Sequence, residues 1–348
     1  MANQQKPKQA TDEVQPKLQP DLHKPAQEQQ PALEQTSGEQ AANEPQATQA
    51  PTEIRPVKAE PVRLRARMTL EDAFQCIGVN CVRQIEANIP GVLHKNVESL
   101  HQMRVGLRRL RALLAMFEDL AAPPVALHAG IEWLSGELGP ARDWDVLTES
   151  TLEKVQGIDA AALRQAAHER AVAHHAQILF VLREPRFDEL MAQLNDWLQE
   201  RRWRPDGVLP KDSPLHERAW KGALPLLRKA EKRLAKRIDG LDESDAPGRH
   251  RVRIAAKKAR YAAEFFRDLL PARRVKRYVG HLEGLQDRLG ALNDLAVAEH
   301  LLDELKGGSS QVAKQAAYAR GYVAASSEAG VRGLGKALKD VAKRRITR

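Results

Sequence analysis

The chain has 348 residues, enough for one or two domains and a sizeable core. It carries 55 Lys and Arg against 46 Asp and Glu, a formal +9. The excess is uneven: residues 1–62 hold 6 basic against 9 acidic residues, and the remainder holds 49 against 37. Such a basic body selects anionic partners: nucleic acid, an anionic membrane surface or a phosphate polymer. No apolar run reaches 18 residues and no apolar stretch opens the chain, so neither a transmembrane helix nor a secretory signal is expected. The expectation is a cytoplasmic protein with no membrane partner. Cys76 and Cys81, five apart, suit neither a metal site nor a disulfide framework.

Residues 1–62 are rich in Gln, Pro, Ala and Glu and lack aromatics. They cannot bury enough apolar surface to offset ordering entropy, which predicts a disordered tail. Docking of that tail on a protein partner is the alternative. From Thr69 the pattern turns helical. Thr69 and Asp72 have capping-box spacing, and Leu70, Phe74, Ile77, Cys81 and Ile85 form an apolar stripe that Pro90 and Gly91 end. A second helix is expected from about Ser99, with Gln102 at capping-box spacing, to about Asp119. Further helices are expected near 124–138, 143–155, 159–182 and 187–200. Pro205, Gly207, Pro210 and Pro214 mark a connection. Helices near 216–239, 247–269, 272–289, 294–305, 310–326 and 328–345 follow. Strand-like alternation is absent, and aromatics make up only 4%. This predicts an all-α body over 63–348, with halves at 63–204 and 215–348.

The most informative segment occurs twice. HQMRVGLRRLRALLAMFEDL, from His101, returns as HRVRIAAKKARYAAEFFRDL, from His250, at an offset of 149. LSGELGPARDWDV, from Leu134, returns as LQDRLGALNDLAV, from Leu285. Two blocks in the same order predict two helical bundles related by an internal pseudo-twofold duplication.

At about 100° per residue, His101, Arg104, Arg108 and Arg111 share one stripe, opposite Met103, Leu110, Leu114 and Phe117. Arg109 lies off it. In the second copy His250, Arg253, Lys257 and Arg260 align in the same way, with Lys258 at the place of Arg109. Each stripe spans about 15 Å and is expected to lack acidic partners. Such a ladder can engage successive phosphates: Arg in bidentate fashion, Lys as a point charge. The histidines lie in first turns, where the helix dipole favours an anion. A third basic helix offers Lys221, Arg228, Lys232 and Lys236 on one face and Lys229, Arg233 and Arg237 beside it.

Other chemistry is weakly supported. Asp143 and Asp294 follow Leu-Gly pairs and are expected to cap helices or to pair structurally. His168, His174 and His175 lack convincing ligand spacing. No P-loop, nucleophile elbow or HExxH is present. No catalytic residue, metal or cofactor is expected, so the chain is not expected to be an enzyme.

His101 to Ala112 resembles the H-x-x-R-V-x-x-R-R-L-R-A signature of the CHAD family, the conserved histidine α-helical domain. Leu138 to Val146 resembles its L-G-x-x-R-D-x-D-V block, with degenerate versions from His250 and Leu289. The resemblance covers roughly 63–348. It implies two helical bundles around a basic groove, binding of inorganic polyphosphate, and location at polyphosphate granules. The ligands it implies are His101, Arg104, Arg108, Arg109, Arg111, His250, Arg253, Lys257, Lys258 and Arg260. To these the third basic helix adds Lys221, Arg228, Lys232, Arg233 and Lys236. Two departures stand out: Lys257-Lys258 replaces Arg108-Arg109, and Asn293 replaces Arg142. Many relatives carry a triphosphate-tunnel enzyme domain upstream, and the 62 residues here are too short and polar for one. Non-specific nucleic-acid binding is the alternative, though aromatic stacking platforms are missing. A phosphate-ester or phosphoanhydride hydrolase would want a carboxylate cluster for metal ions, and none is evident.

Overall fold

The structure, a computed structural model, describes residues 55–347. Among them are helices and no strand; a single bridge joins Thr69 to Arg218. The first half contains α1 (Leu70–Glu86), α2 (Ile89–Leu93), α3 (Val97–Met116), α4 (Val125–Glu137), α5 (Gly139–Val146), α6 (Ala161–Val181) and α7 (Pro185–Gln199). The second contains α8 (Ala219–Asp239), α9 (Ala246–Phe265), α10 (Ala272–Glu304), α11 (Ser310–Val331) and α12 (Leu334–Ala342). Four helix starts recur at one offset: Leu70 and Ala219, Val97 and Ala246, Ala161 and Ser310, Pro185 and Leu334 are each 149 residues apart. No described helix is long and apolar enough to cross a membrane.

Several local expectations change. The capping box at Thr69 forms, with Asp72 N donating to Thr69 Oγ1 and Thr69 N to Asp72 Oδ2, both at 3.1 Å. The second box does not: Asn96 caps α3 through a 2.8 Å bond from Ser99 N, and Ser99 lies buried inside the first turn. Pro90 and Gly91 do not end a helix but build the one-turn α2, since Pro is tolerated in a first turn. The helix expected over 143–155 is α5 followed by a π-helical turn, Leu147–Thr151, and a 3₁₀ turn. The helices expected over 272–289 and 294–305 are one helix, α10. Gly290 is absorbed within it, and nothing there breaks the backbone ladder as Gly139-Pro140 does between α4 and α5.

Two cores form, and neither coincides with a sequence half. One gathers Phe74, Phe117, Trp197 and Phe266 with aliphatics of α1, α3, α4, α7, α8, α9, α12 and the first part of α10. The other packs Trp144, Leu147 and Leu163 against Leu302, Val312 and Ala316. Each core draws on both halves because helices of the two halves pack on each other, α3 on α9 and α6 on α11: Phe117 and Phe266, which match in the repeated sequence, lie 6.5 Å apart.

Buried carboxylates fasten the periphery. Glu71 accepts from Trp203 Nε1 at 2.9 Å, from Arg204 Nε at 2.8 Å and from Arg201 Nη1 at 2.7 Å. These bonds tie the segment after α7 to α1. Glu231 accepts from Thr347 Oγ1 at 2.7 Å and from the Ile346 amide, holding the chain's last described turn on α8. The tail read over 1–62 lies mostly outside the described residues. Its last part is bound: Val57 N donates to Asn88 Oδ1 at 2.9 Å, Asn88 Nδ2 donates back to Val57 O at 2.8 Å, and Val62 is buried.

Candidate polyanion groove

The two basic helices meet. Leu100, Met103, Leu107, Leu110, Leu113 and Leu114 drive one face of α3 into the core, which turns the stripe outward. On α9 the buried face is small: Val252, Ala255, Ala256, Ala259, Ala262 and Ala263. Small side chains let α9 pack close to both α8 and α10 while its cations face α3. Between α3, α4 and α9 opens a groove of about 640 Å³. Its cationic lining is Arg108 and Arg111 from one helix and Arg253, Lys257 and Lys258 from the other.

The electrostatics are those of crowded, largely buried cations. Burial pushes the Lys257 ammonium down to about 7, and Arg253 and Arg108 push the same way. Burial pushes Arg104 down to about 10; Asp143 opposes this, and Arg108 and Arg142 add to it. Arg253 is lowered by burial, against the pull of Asp294. The Nε atoms of Arg104, Arg108 and Arg253 are buried with no hydrogen-bond partner. Three orphaned guanidinium N–H groups in one place are costly unless an acceptor arrives.

The two ends of the stripes differ. Arg111 is clamped by Glu132, with Nε at 2.9 Å and Nη2 at 2.8 Å. Arg260 donates to Gln286 Oε1 at 2.9 Å and to Glu264 Oε1 at 2.7 Å. Glu264 stands four residues on from Arg260, so the expected lack of acidic partners fails at this end. His101 is half-buried and held below its ordinary pKa by burial first and then by Arg142, with Glu98 opposing. His250 is exposed and bonded through Nδ1 to Asn293 Oδ1 at 2.9 Å.

The structure does not bring every expected ligand here: His101, Arg104, His250 and Arg260 lie on the same two helices but do not line the groove. Arg109 is 7% exposed and faces away, donating to Gln84 Oε1 at 2.8 Å and Asn80 Oδ1 at 2.7 Å, 5.6 Å over the Phe265 ring. It holds α3 to α1. The α8 cations divide between two sides. Lys229 and Arg233 line a small gap beside Lys258, and Lys229 pairs with Asp119 at 2.7 Å. Lys221 pairs with Glu217 at 3.0 Å, and neither it nor Arg228 nor Lys232 lines any of these spaces.

Asp143 and Asp294 cap nothing: each lies inside a helix, α5 or α10. Asp143 stands 4.0 Å from Arg104. Its carboxyl is raised by burial, against Arg104, with Asp294 adding to the rise. Asp143 and Asp294 therefore sit among the buried guanidinium groups of Arg104 and Arg253, with Arg142 close to Arg104, and none of the three lines the groove. The only sequence signal for them was the second repeated block. Of the histidines, His175 bonds Asp145 at 2.9 Å and His174 stacks on Trp144. No group of three His, Cys, Asp or Glu among the described residues could hold a metal ion.

An all-α domain whose paired basic helices, each led by a histidine, line one groove is the class these features define. The profile of the CHAD domain family matches residues 77–303, and the chain belongs to that family. The crystal structure of the CHAD domain from the plant Ricinus communis is 35% identical, with a TM-score of 0.77 over 84% of this chain and 98% of that one. PptA from Streptomyces chartreusis superposes with a TM-score of 0.58 over 79% of this chain and 100% of its own. At 18% identity that likeness concerns the fold alone. No curated protein matches.

Proposed function

We propose that this protein binds inorganic polyphosphate in the α3–α9 groove, without catalysis. The observation that carries the reading is the pair of orphaned Nε atoms on Arg108 and Arg253 in the groove wall, with Lys257 and Lys258 beside them and Arg104, held by the Leu138 carbonyl, one turn before Arg108 on α3. Closely placed buried cations repel one another, and a chain of phosphates relieves every pair at once. Membership in the CHAD family supports the same ligand. The equal offset of four helix starts supports reading the domain as a duplicated unit, so that two half-sites grip one chain. The half-sites differ, because His101 stands beside Arg142 and His250 binds Asn293.

A flexible chain fits better than a duplex. The groove is lined by one aromatic side chain, Tyr261, and that ring is buried, so no base-stacking platform is offered. Binding releases counterions and weakens steeply with salt, in analogy with nucleic acids. A protein held by the polymer gathers where the polymer is, which places this one in the cytoplasm at polyphosphate granules.

Titration with phosphate chains of graded length tests the reading. Affinity is expected to climb with length. Equal affinity for orthophosphate and long chains sinks it, as does preference for DNA at equal phosphate concentration. Phosphate release from long chains, with or without Mg²⁺, sinks the non-catalytic part. Localisation in cells with and without polyphosphate tests the granule part.

A further inference from the structure

One basic space remains outside the groove. A cleft of about 440 Å³ opens between the end of α8 and the start of α9, lined by Arg233, Lys236, Arg237 and Arg251 with Gly240, Leu241 and Gly248. No carboxylate lines it. Arg251 pairs with Asp245 at 3.0 Å, while Arg233, Lys236 and Arg237 make no salt bridge among the described residues. Gly248 permits the approach of the preceding loop, since a Cβ there would lie 2.5 Å from Asp245 Oδ2 and 2.8 Å from Leu241 Cδ1.

This cleft and the groove are joined. The gap between α3, α8 and α9 shares Ala112, Ala115 and Lys258 with the groove and shares Arg233 with the cleft. At the junction, burial and then Arg233 and Arg111 all depress the Lys258 ammonium, so cations from three helices crowd one point. Repulsion of this kind is unfavourable in the empty protein and is removed by an anion lying across it.

We propose that these spaces form one track: a phosphate chain leaving the groove crosses Lys258 and Arg233 and is held again in the α8–α9 cleft by Lys236, Arg237 and Arg251. This rests on the polyphosphate reading of the groove. The track passes from one side of α9 to the other, so its occupant bends sharply. A single-bonded phosphate chain does so readily, whereas a duplex is stiff over about 150 base pairs. Short chains fill the groove alone; long chains fill both segments.

The test uses the full chain with Lys236→Ala, Arg237→Ala and Arg251→Ala together, all at exposed positions. The probes are tripolyphosphate and a polyphosphate of more than about a hundred units, a length far beyond the groove. The triple variant is expected to bind the long chain about tenfold or more weaker, with the log–log salt slope smaller by about 2 for three lost cations. Its tripolyphosphate affinity is expected to stay unchanged. Unchanged long-chain affinity and slope overturn the track, and so does an equal loss for both probes, which marks a diffuse field. If the unmodified protein binds neither probe, the groove reading falls and the track with it.

Discussion

His250 Nδ1 and Asn293 Oδ1 lie 2.9 Å apart, and this bond marks where the two half-sites part company. Asn293 Oδ1 can only accept, so Nδ1 carries the hydrogen and donates it, and Nε2 of a neutral His250 ring is left as an acceptor. Neutral His250 cannot donate to a phosphate through that atom. His101 has no such partner and faces Arg142 instead. His101 is therefore expected to matter more: His101→Ala weakens polyphosphate binding by several-fold, and His250→Ala weakens it less at neutral pH. Equal losses in a binding titration would contradict this asymmetry.

His101 also reports ligand directly. In the free protein its folded pKa lies below the ordinary value because burial and neighbouring cations disfavour the imidazolium. The native state therefore prefers the neutral ring, and stability falls as pH drops through the unfolded value, about 6.5. A bound anion reverses the sign, so polyphosphate is expected to raise the His101 pKa and to bind more tightly as pH falls. Imidazole resonances followed by NMR with and without ligand check this. A pKa that stays put, or falls, contradicts it.

Lys257 carries the same linkage at higher pH. With its ammonium pushed down to about 7, a substantial fraction is neutral in the free protein just above that pH. Binding should draw a proton in. Calorimetry near pH 8 in buffers of different ionisation enthalpy is expected to show proton uptake, and Lys257→Arg is expected to remove most of it, because Arg is charged throughout. Buffer-independent heats in the unmodified protein would contradict this.

Arg109 and Lys258 occupy the same place in the two repeated segments and do opposite work. Arg109→Ala strips buried Gln84 and half-buried Asn80 of a charged donor and leaves a void beside Phe265. It is expected to cost about 2–4 kcal/mol in denaturant unfolding while leaving binding per folded molecule intact. Lys258→Ala is expected to do the reverse, with stability within about 0.5 kcal/mol and weaker binding.

Glu71 governs acid stability. Burial disfavours its ionised form, but hydrogen bonds from Arg204 and Trp203 and the charge of Arg201 outweigh that and hold its carboxyl below the usual range. Its contribution is present above the unfolded value, about 4.3, and is lost as pH falls through the lower folded value. Glu71→Gln leaves Arg204 without its paired carboxylate and Arg201 with Asp72 alone, and is expected to cost about 2–3 kcal/mol at neutral pH. Its stability should also fall less steeply with acid. An acid limb as steep as that of the unmodified chain, measured by urea unfolding from pH 3 to 7, would contradict this.

The helices were legible because their apolar residues recur at helical spacing; Leu70, Phe74, Ile77, Cys81 and Ile85 are all buried as that spacing demands. So was the basic stripe, whose His101, Arg104 and Arg108 share a face on which the apolar residues are few and modest in size, Val105, Ala112 and Ala115. The shared cores were not legible, because periodicity says which face is buried and not which helix covers it. Asp143 was misread for a related reason: a Leu-Gly-Pro break looks like an N-terminus. The turn restarts at Gly139, and Asp143 lands one turn further in, beside Arg104. Arg109 and Arg111 looked alike as charges, and only the placement of Asn80, Gln84 and Glu132 separates them. Arg237 and Arg251 were ordinary surface until α8 and α9 were seen side by side.

The uneven partners α4–α5 and α10 have a mechanical consequence. α10 runs unbroken for 33 residues, about 50 Å, from the core beneath the groove to the core shared with α11. It is a beam, and Asn293 and Asp294 ride on it without freedom to shift. Arg142 and Asp143 ride instead on an eight-residue segment set off by Gly139-Pro140 and followed by a π-turn. Of the two matched blocks, one is therefore part of a continuous rod and the other sits on a short jointed segment: a push on Arg142 and Asp143 is taken up within α5, while Asn293 and Asp294 shift only with the whole of α10.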